Sequence, residues 1–143
     1  GIKTLHLRMA RHCQNASALA DYLQAHPLVE KVHYPGLEGH GNHAVAARQM
    51  SAYGGMVSFE LTGGVAAGRQ LCMETKLFQL AESLGGVESL IEQPATMTHA
   101  SVEPAVRRAA GLADGLIRLS VGCEELSDLH ADLEQALLAI AES

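Results

Sequence analysis

The stretch Leu116-Ile117-Arg118-Leu119-Ser120-Val121-Gly122 constrains this chain most. Read with the two-residue period of a strand, Ile117, Leu119 and Val121 point to one face, and Leu116, Arg118 and Ser120 to the other. One face is for burial, and the other carries a guanidinium in mid-strand. A guanidinium presents five donors, accepts nothing and keeps its charge, so it needs an anion or water beside it. From this strand alone, a solvated surface arginine and an anion-binding one both stay open.

The rest of the chain supplies the elements that would cover the apolar face. Leu5, Met9, Cys13, Ala16, Ala20 and Leu23 follow helical spacing from about Thr4 to Ala25, and His26-Pro27 stops the helix there. Such a helix of ~22 residues would run ~33 Å, long for one small domain. Val29 to Tyr34 reads as a strand closed by Pro35-Gly36, and His43 to Ser51 as a helix broken by Gly54-Gly55. Met56 to Leu61 is a second strand, with Val57, Phe59 and Leu61 on one face and Met56, Ser58 and Glu60 on the other. A helix over Val65 to Met73 and a third strand over Leu77 to Leu80 follow. Glu103 to Ala110 reads as a short helix with Pro104 in its first turn, and Asp114-Gly115 turns the chain into the arginine strand. The last helix, capped by Ser127 with Asp128 at its positive end, would bury Leu129, Leu133, Ala136, Leu137 and Ile140. The expected fold is α+β: a small, mainly antiparallel sheet with helices packed on one face. The face bearing Arg118, Ser120, Ser58 and Glu60 is then left with nothing in the chain to cover it.

Composition narrows the class of partner. The 143 residues are 48% hydrophobic and 18% charged, which suits one soluble domain with a core of its own. A net charge of -6 argues against a nucleic-acid backbone as partner, and no apolar run approaches the ~20 residues of a membrane span. Cys13, Cys72 and Cys123, odd in number and far apart, suit reduced thiols in the cytoplasm better than a disulfide framework. The opening at Gly1 without Met, directly into helical sequence, reads as a piece of something longer.

Individual candidate sites are weak by themselves. His40 and His43 are the close histidine pair, but no cysteine or carboxylate stands at ligand spacing, so no metal site is expected. His12 and Cys13 diverge by ~100° on a helix and cannot act as a base and thiol pair, which leaves Cys123 as the least ordinary cysteine. Ser83-Leu84-Gly85-Gly86 lacks a phosphate-loop pattern, yet could form a turn offering backbone N–H groups and the Ser83 hydroxyl to an anion.

In combination the segments are more specific. Leu80-Ala81-Glu82-Ser83-Leu84-Gly85-Gly86-Val87-Glu88-Ser89-Leu90-Ile91, Pro94-Ala95-Thr96-Met97-Thr98-His99-Ala100 and Leu116 to Gly122 resemble signatures of the pyridoxal-phosphate enzymes of Cys/Met metabolism. Gly1-Ile2-Lys3-Thr4-Leu5, Tyr34-Pro35-Gly36-Leu37 and Gly55 to Leu61 extend the resemblance over nearly the whole chain. It implies that residues 1–143 are a single C-terminal, substrate-facing domain of a fold-type I pyridoxal-phosphate enzyme, with residues 1–25 as the long helix from a missing N-terminal large domain. The Schiff-base lysine lies outside this chain, so no catalytic residue and no covalently held cofactor are expected here. Arg118 is implied as the group that grips the substrate α-carboxylate, Ser83 as a second hydrogen bond to it, and Thr98 as a neighbour of substrate and cofactor. Glu82 stands where cystathionine-handling members resemble this chain and methionine gamma-lyases tend to have an apolar residue, so it could receive a distal ammonium. The Thr98-His99-Ala100 region looks unlike that of the beta-lyases. The resemblance implies a cytoplasmic, homotetrameric parent of the cystathionine gamma-synthase or gamma-lyase type, acting at the γ-carbon of homoserine-derived amino acids. O-acetylhomoserine sulfhydrylase, methionine gamma-lyase and a non-catalytic binding module are the alternatives.

Overall fold

The computed structural model describes residues 1–141. Its five strands are β1 (Val29–His33), β2 (Met56–Leu61), β3 (Gln79–Leu80), β4 (Leu90–Glu92) and β5 (Leu116–Ser120), in the order β1-β2-β5-β4-β3. The arginine strand β5 is therefore central. It runs antiparallel to both neighbours, β1 is antiparallel to β2, and only β3 and β4 pair in parallel. The register sets Val57 against Leu119, Phe59 against Ile117, and Ile91 against Leu119, so the apolar positions of three strands share one face. That face is dry: Val57, Phe59, Ile91, Ile117 and Leu119 have no exposed surface.

Helices α1 (Leu5–Gln24), α3 (Gly64–Glu74) and α5 (Leu126–Ala141) close over it, while α2 (His43–Gln49) and α4 (Pro104–Ala109) are short. Leu19, Leu23, Leu71, Leu129, Leu133 and Leu137 are fully buried against the sheet residues. Each contributes about 1.5–3 kcal/mol relative to an exposed position. The α+β fold with a mainly antiparallel sheet and helices on one face is as expected. The buried stripe of α1 is not. Leu5 and Met9 stay 42% and 39% exposed, and the inward positions include two polar residues, His12 and Asn15. They are buried because their side chains serve the backbone that leaves β5: His12 Nδ1 donates to Val121 O at 2.7 Å, and Asn15 Nδ2 donates to Gly122 O and Glu124 O at 3.2 and 2.9 Å.

Three further expectations are corrected. The expected strand Leu77–Leu80 shrinks to Gln79–Leu80, and β4, three residues long, lies where no strand was expected; neither is long enough to show a period. The last helix begins at Leu126, so Ser127 sits inside its first turn rather than before it. The polar sheet face is not bare either. Ser120 is 3% exposed and Glu92 1%, because the chain between β3 and β4 folds across it and Gly85 N–H donates to Ser120 Oγ at 2.8 Å.

Candidate functional site

Arg118 stands at the middle of the central strand, opposite Ser58 on β2 and Glu92 on β4. Alternation turns all three side chains to the polar face. Register brings the guanidinium and the Glu92 carboxylate within 2.9 Å through Nη1 and Oε1. The Arg118 side chain is 22% exposed and that of Glu92 2%, so the pair sits at the floor of the face with the arginine uppermost. Nη2 donates to Glu82 O and Ser83 O at 2.9 and 3.1 Å. Those three contacts leave guanidinium N–H groups over, and Nε is buried without a partner, as is Glu92 Oε2. Burial pushes the Glu92 carboxyl above its usual range, against the pull of the Arg118 guanidinium and the Thr98 hydroxyl.

The four residues singled out from sequence do converge here. Glu82 and Ser83 meet Arg118 through their main-chain carbonyls, while their own residues remain exposed. Thr98 Oγ1 lies 3.4 Å from Glu92 Oε1 and 2.9 Å from His99 Nδ1. Within the Ser83 to Gly86 turn, Gly85, at φ 79°, spends its N–H on Ser120, and the Glu82 and Ser83 carbonyls accept from the Arg118 guanidinium. Glu92 was missed altogether. A carboxylate in the short apolar run Leu90-Ile91-Glu92 was a signal, but its partner follows from strand register, which no local pattern encodes.

Two other constellations resolve differently. Cys123 Sγ lies 3.7 Å from His12 Nε2, a pairing the sequence did not suggest. Since Val121 O can only accept, His12 Nδ1 carries the proton in that bond, and the sulfur lies almost equally far from both ring nitrogens, 3.8 Å from Nδ1. Burial and Glu124 push the Cys123 thiol up, which makes it a weak nucleophile. His43 Nδ1 donates to Pro35 O at 2.8 Å, which ties the loop down. Among the described residues no group of three or more His, Cys, Asp or Glu could hold a metal ion. Among them too, no helix is long and apolar enough to cross a membrane.

The site is thus a carboxylate-held guanidinium on the half-covered face of a mainly antiparallel sheet in an α+β domain. The sequence matches the family of Cys/Met metabolism PLP-dependent enzymes over residues 1–138, and the chain belongs to that family. It is 54% identical over 137 residues to a cystathionine beta-lyase of Coxiella burnetii, covering 96% of this chain and 35% of that protein. Identity is 55% over 137 residues to a cystathionine gamma-synthase of Mycobacterium bovis, with 96% and 34% covered. The fold matches the crystal structure of cystathionine gamma synthase from Xanthomonas oryzae pv. oryzae, in complex with aminoacrylate and cysteine, at a TM-score of 0.93. That match has 49% identity and covers 99% of this chain and 37% of the other. The chain thus spans about a third of its relatives' length. Identity to the beta-lyase and to the gamma-synthase, 54% and 55%, differs by a single point, so overall similarity does not separate the two.

Pyridoxal phosphate is the cofactor of this family. A covalent Schiff base to it takes a lysine amine. The lysines are Lys3, Lys31 and Lys76, all exposed; they lie in an N-terminal 3-10 turn, on β1, and beside Asp132 of α5. None joins the group around Arg118.

Proposed function

We propose that this chain is the C-terminal, substrate-facing domain of a pyridoxal-phosphate-dependent trans-sulfuration enzyme acting at the γ-carbon of homoserine-derived amino acids. Within the family we favour the cystathionine gamma-synthase or gamma-lyase type. In this reading Arg118 receives the substrate α-carboxylate, Ser83 adds a hydrogen bond to it, Thr98 stands beside substrate and cofactor, and Glu82 meets a distal ammonium. One observation carries the reading: a mid-strand guanidinium, held from below by Glu92 and two carbonyls, keeps donors over and part of its surface open. A planar fork of this kind matches a carboxylate with two parallel hydrogen bonds. Glu82, Ser83 and Thr98 being gathered around the same pair supports their share in it.

The 3-10 turn Ile2–Thr4 and the N-terminal half of α1 support a link to a larger domain. Ile2, Leu5, Leu7 and Met9 are 84%, 42%, 63% and 39% exposed, an apolar surface that this chain leaves unpacked. The same reading makes the full-length protein a cytoplasmic homotetramer, for which the support is the family resemblance.

The test is Arg118→Ala in the full-length protein. Losing a charge-assisted hydrogen-bond pair should cost about 1.5–3 kcal/mol of substrate binding, on the order of 10- to 150-fold in kcat/KM, with bound cofactor unchanged. Arg118→Lys should recover little, because a point charge does not reproduce the fork. Unchanged kinetics in a folded Arg118→Ala protein removes Arg118 from the site. Parallel assays with O-succinylhomoserine, O-acetylhomoserine, cystathionine and methionine then assign the reaction.

A further inference from the structure

Arg118 already holds one carboxylate before any substrate arrives. Glu92 lies 2.9 Å away with its side chain 2% exposed, beneath a guanidinium that is 22% exposed. Two atoms of this pair, Glu92 Oε2 and Arg118 Nε, are buried and unpartnered. Buried polar groups are ordinarily satisfied, and a pair left half-satisfied on both sides is one that a third group can rearrange. An incoming carboxylate would make that third group, and it brings a second negative charge to one cation.

We infer that Glu92 is a positioning residue that shares Arg118 with the incoming carboxylate, and that docking of a carboxylate is accompanied by uptake of one proton on Glu92. The inference rests on Arg118 as the carboxylate anchor proposed above. In charge terms, the resident pair is a carboxylate and a guanidinium. Adding an external carboxylate leaves one surplus negative charge in a water-poor floor, and a solvent proton taken up by Glu92 cancels it. The neutral acid then has an O–H to donate, and the guanidinium turns its full charge to the newcomer.

The surroundings favour this direction. Glu92 faces Arg118 from β5, Thr98 and His99 from the turn after β4, and Glu82 from the segment before β4, and its charge is also felt by Cys72 of α3. Arg118 is the permanent cation in that set, and Glu82 is a second carboxylate that already opposes ionisation of Glu92. Burial acts the same way and is the largest influence. The Cys72 thiol, pushed up to about 12 by burial and by Glu92, stays neutral and does not compete.

Butanoate, a carboxylate without an amino group, is the probe, titrated by calorimetry into the full-length protein with its cofactor. Proton uptake makes butanoate bind more tightly as pH falls, with a slope approaching tenfold per pH unit for one proton per carboxylate. The measured heat should also change with the ionisation enthalpy of the buffer, and infrared difference spectra should show a protonated carboxyl group appearing on binding. Glu92→Gln should abolish the slope and the infrared band, with an affinity close to the low-pH limit of the unmodified protein. A pH-independent affinity, or a slope and band unchanged in Glu92→Gln, overturns the inference. Should Glu92→Gln fail to fold, the unmodified protein decides: no protonated carboxyl on binding overturns it just as well. Arg118→Ala separates the two ideas, since unweakened butanoate binding in that variant defeats the anchor itself rather than the proton coupling.

Discussion

At the scale of single residues, the site depends on side chains whose neighbours come from distant parts of the chain. Arg118 was legible as unusual because a strand with Ile117, Leu119 and Val121 inward must turn the guanidinium outward. Its partner Glu92 was not, since their contact is set by a cross-strand register. Gly122 is a second such residue. A Cβ there would run into the backbone at Val87 O and Ser89 N, while the Gly122 N–H donates to Ser89 Oγ at 2.8 Å and its carbonyl accepts from Asn15. Gly122→Ala should therefore destabilise the fold by about 1–3 kcal/mol, the usual cost of overpacking. Urea denaturation checks this, and an unchanged midpoint would mean that the 87–89 backbone yields freely.

At the scale of elements, short pieces are held by side chains rather than by their own length. The turn into β3 is one case. Asp132 of α5, 5% exposed, accepts from the N–H groups of Lys76, Leu77 and Phe78 at 2.8, 2.9 and 3.0 Å. This is why a two-residue strand persists where the sequence suggested four residues. Asp132→Ala strands three donors and should cost about 3 kcal/mol or more. Faster hydrogen exchange at Gln79 and Ala81, whose amides pair with Ser89 and Ile91, is the local readout. A second case is α4. The buried Arg107 and the exposed Arg108 both grip Asp114 in the turn before β5, at 2.9 and 2.7 Å. Their hydrogen bonds hold the Asp114 carboxyl below its ordinary value. A lowered carboxylate adds stability that is present above the ordinary range and lost as pH falls through the lowered value. Thermal melts in acid should show that loss, and Asp114→Asn should flatten it while lowering the melting temperature near neutrality.

At the scale of the whole molecule, the helical layer covers one sheet face and leaves the other to a thin crossing segment. The apolar start of α1 stays exposed, and the guanidinium is only half covered. Because Lys3, Lys31 and Lys76 lie away from Arg118, residues 1–143 produced alone should form no pyridoxal-phosphate adduct that survives dialysis and is bleached by borohydride. A persistent visible aldimine band would contradict this. The sequence by itself determined what is periodic: the inward faces of β2 and β5, the leucines of α5, the outward turn of Arg118 and the signatures of the family. Only the tertiary structure decided what is paired: β4 beside β5, Glu92 beneath Arg118, the Glu82 and Ser83 carbonyls beside the guanidinium, and His12 beside Cys123. The physical reason is one of range. Alternation of apolar and polar residues is a local property written along the chain. The partner of a buried charge is chosen by which segments the collapsing core brings into register.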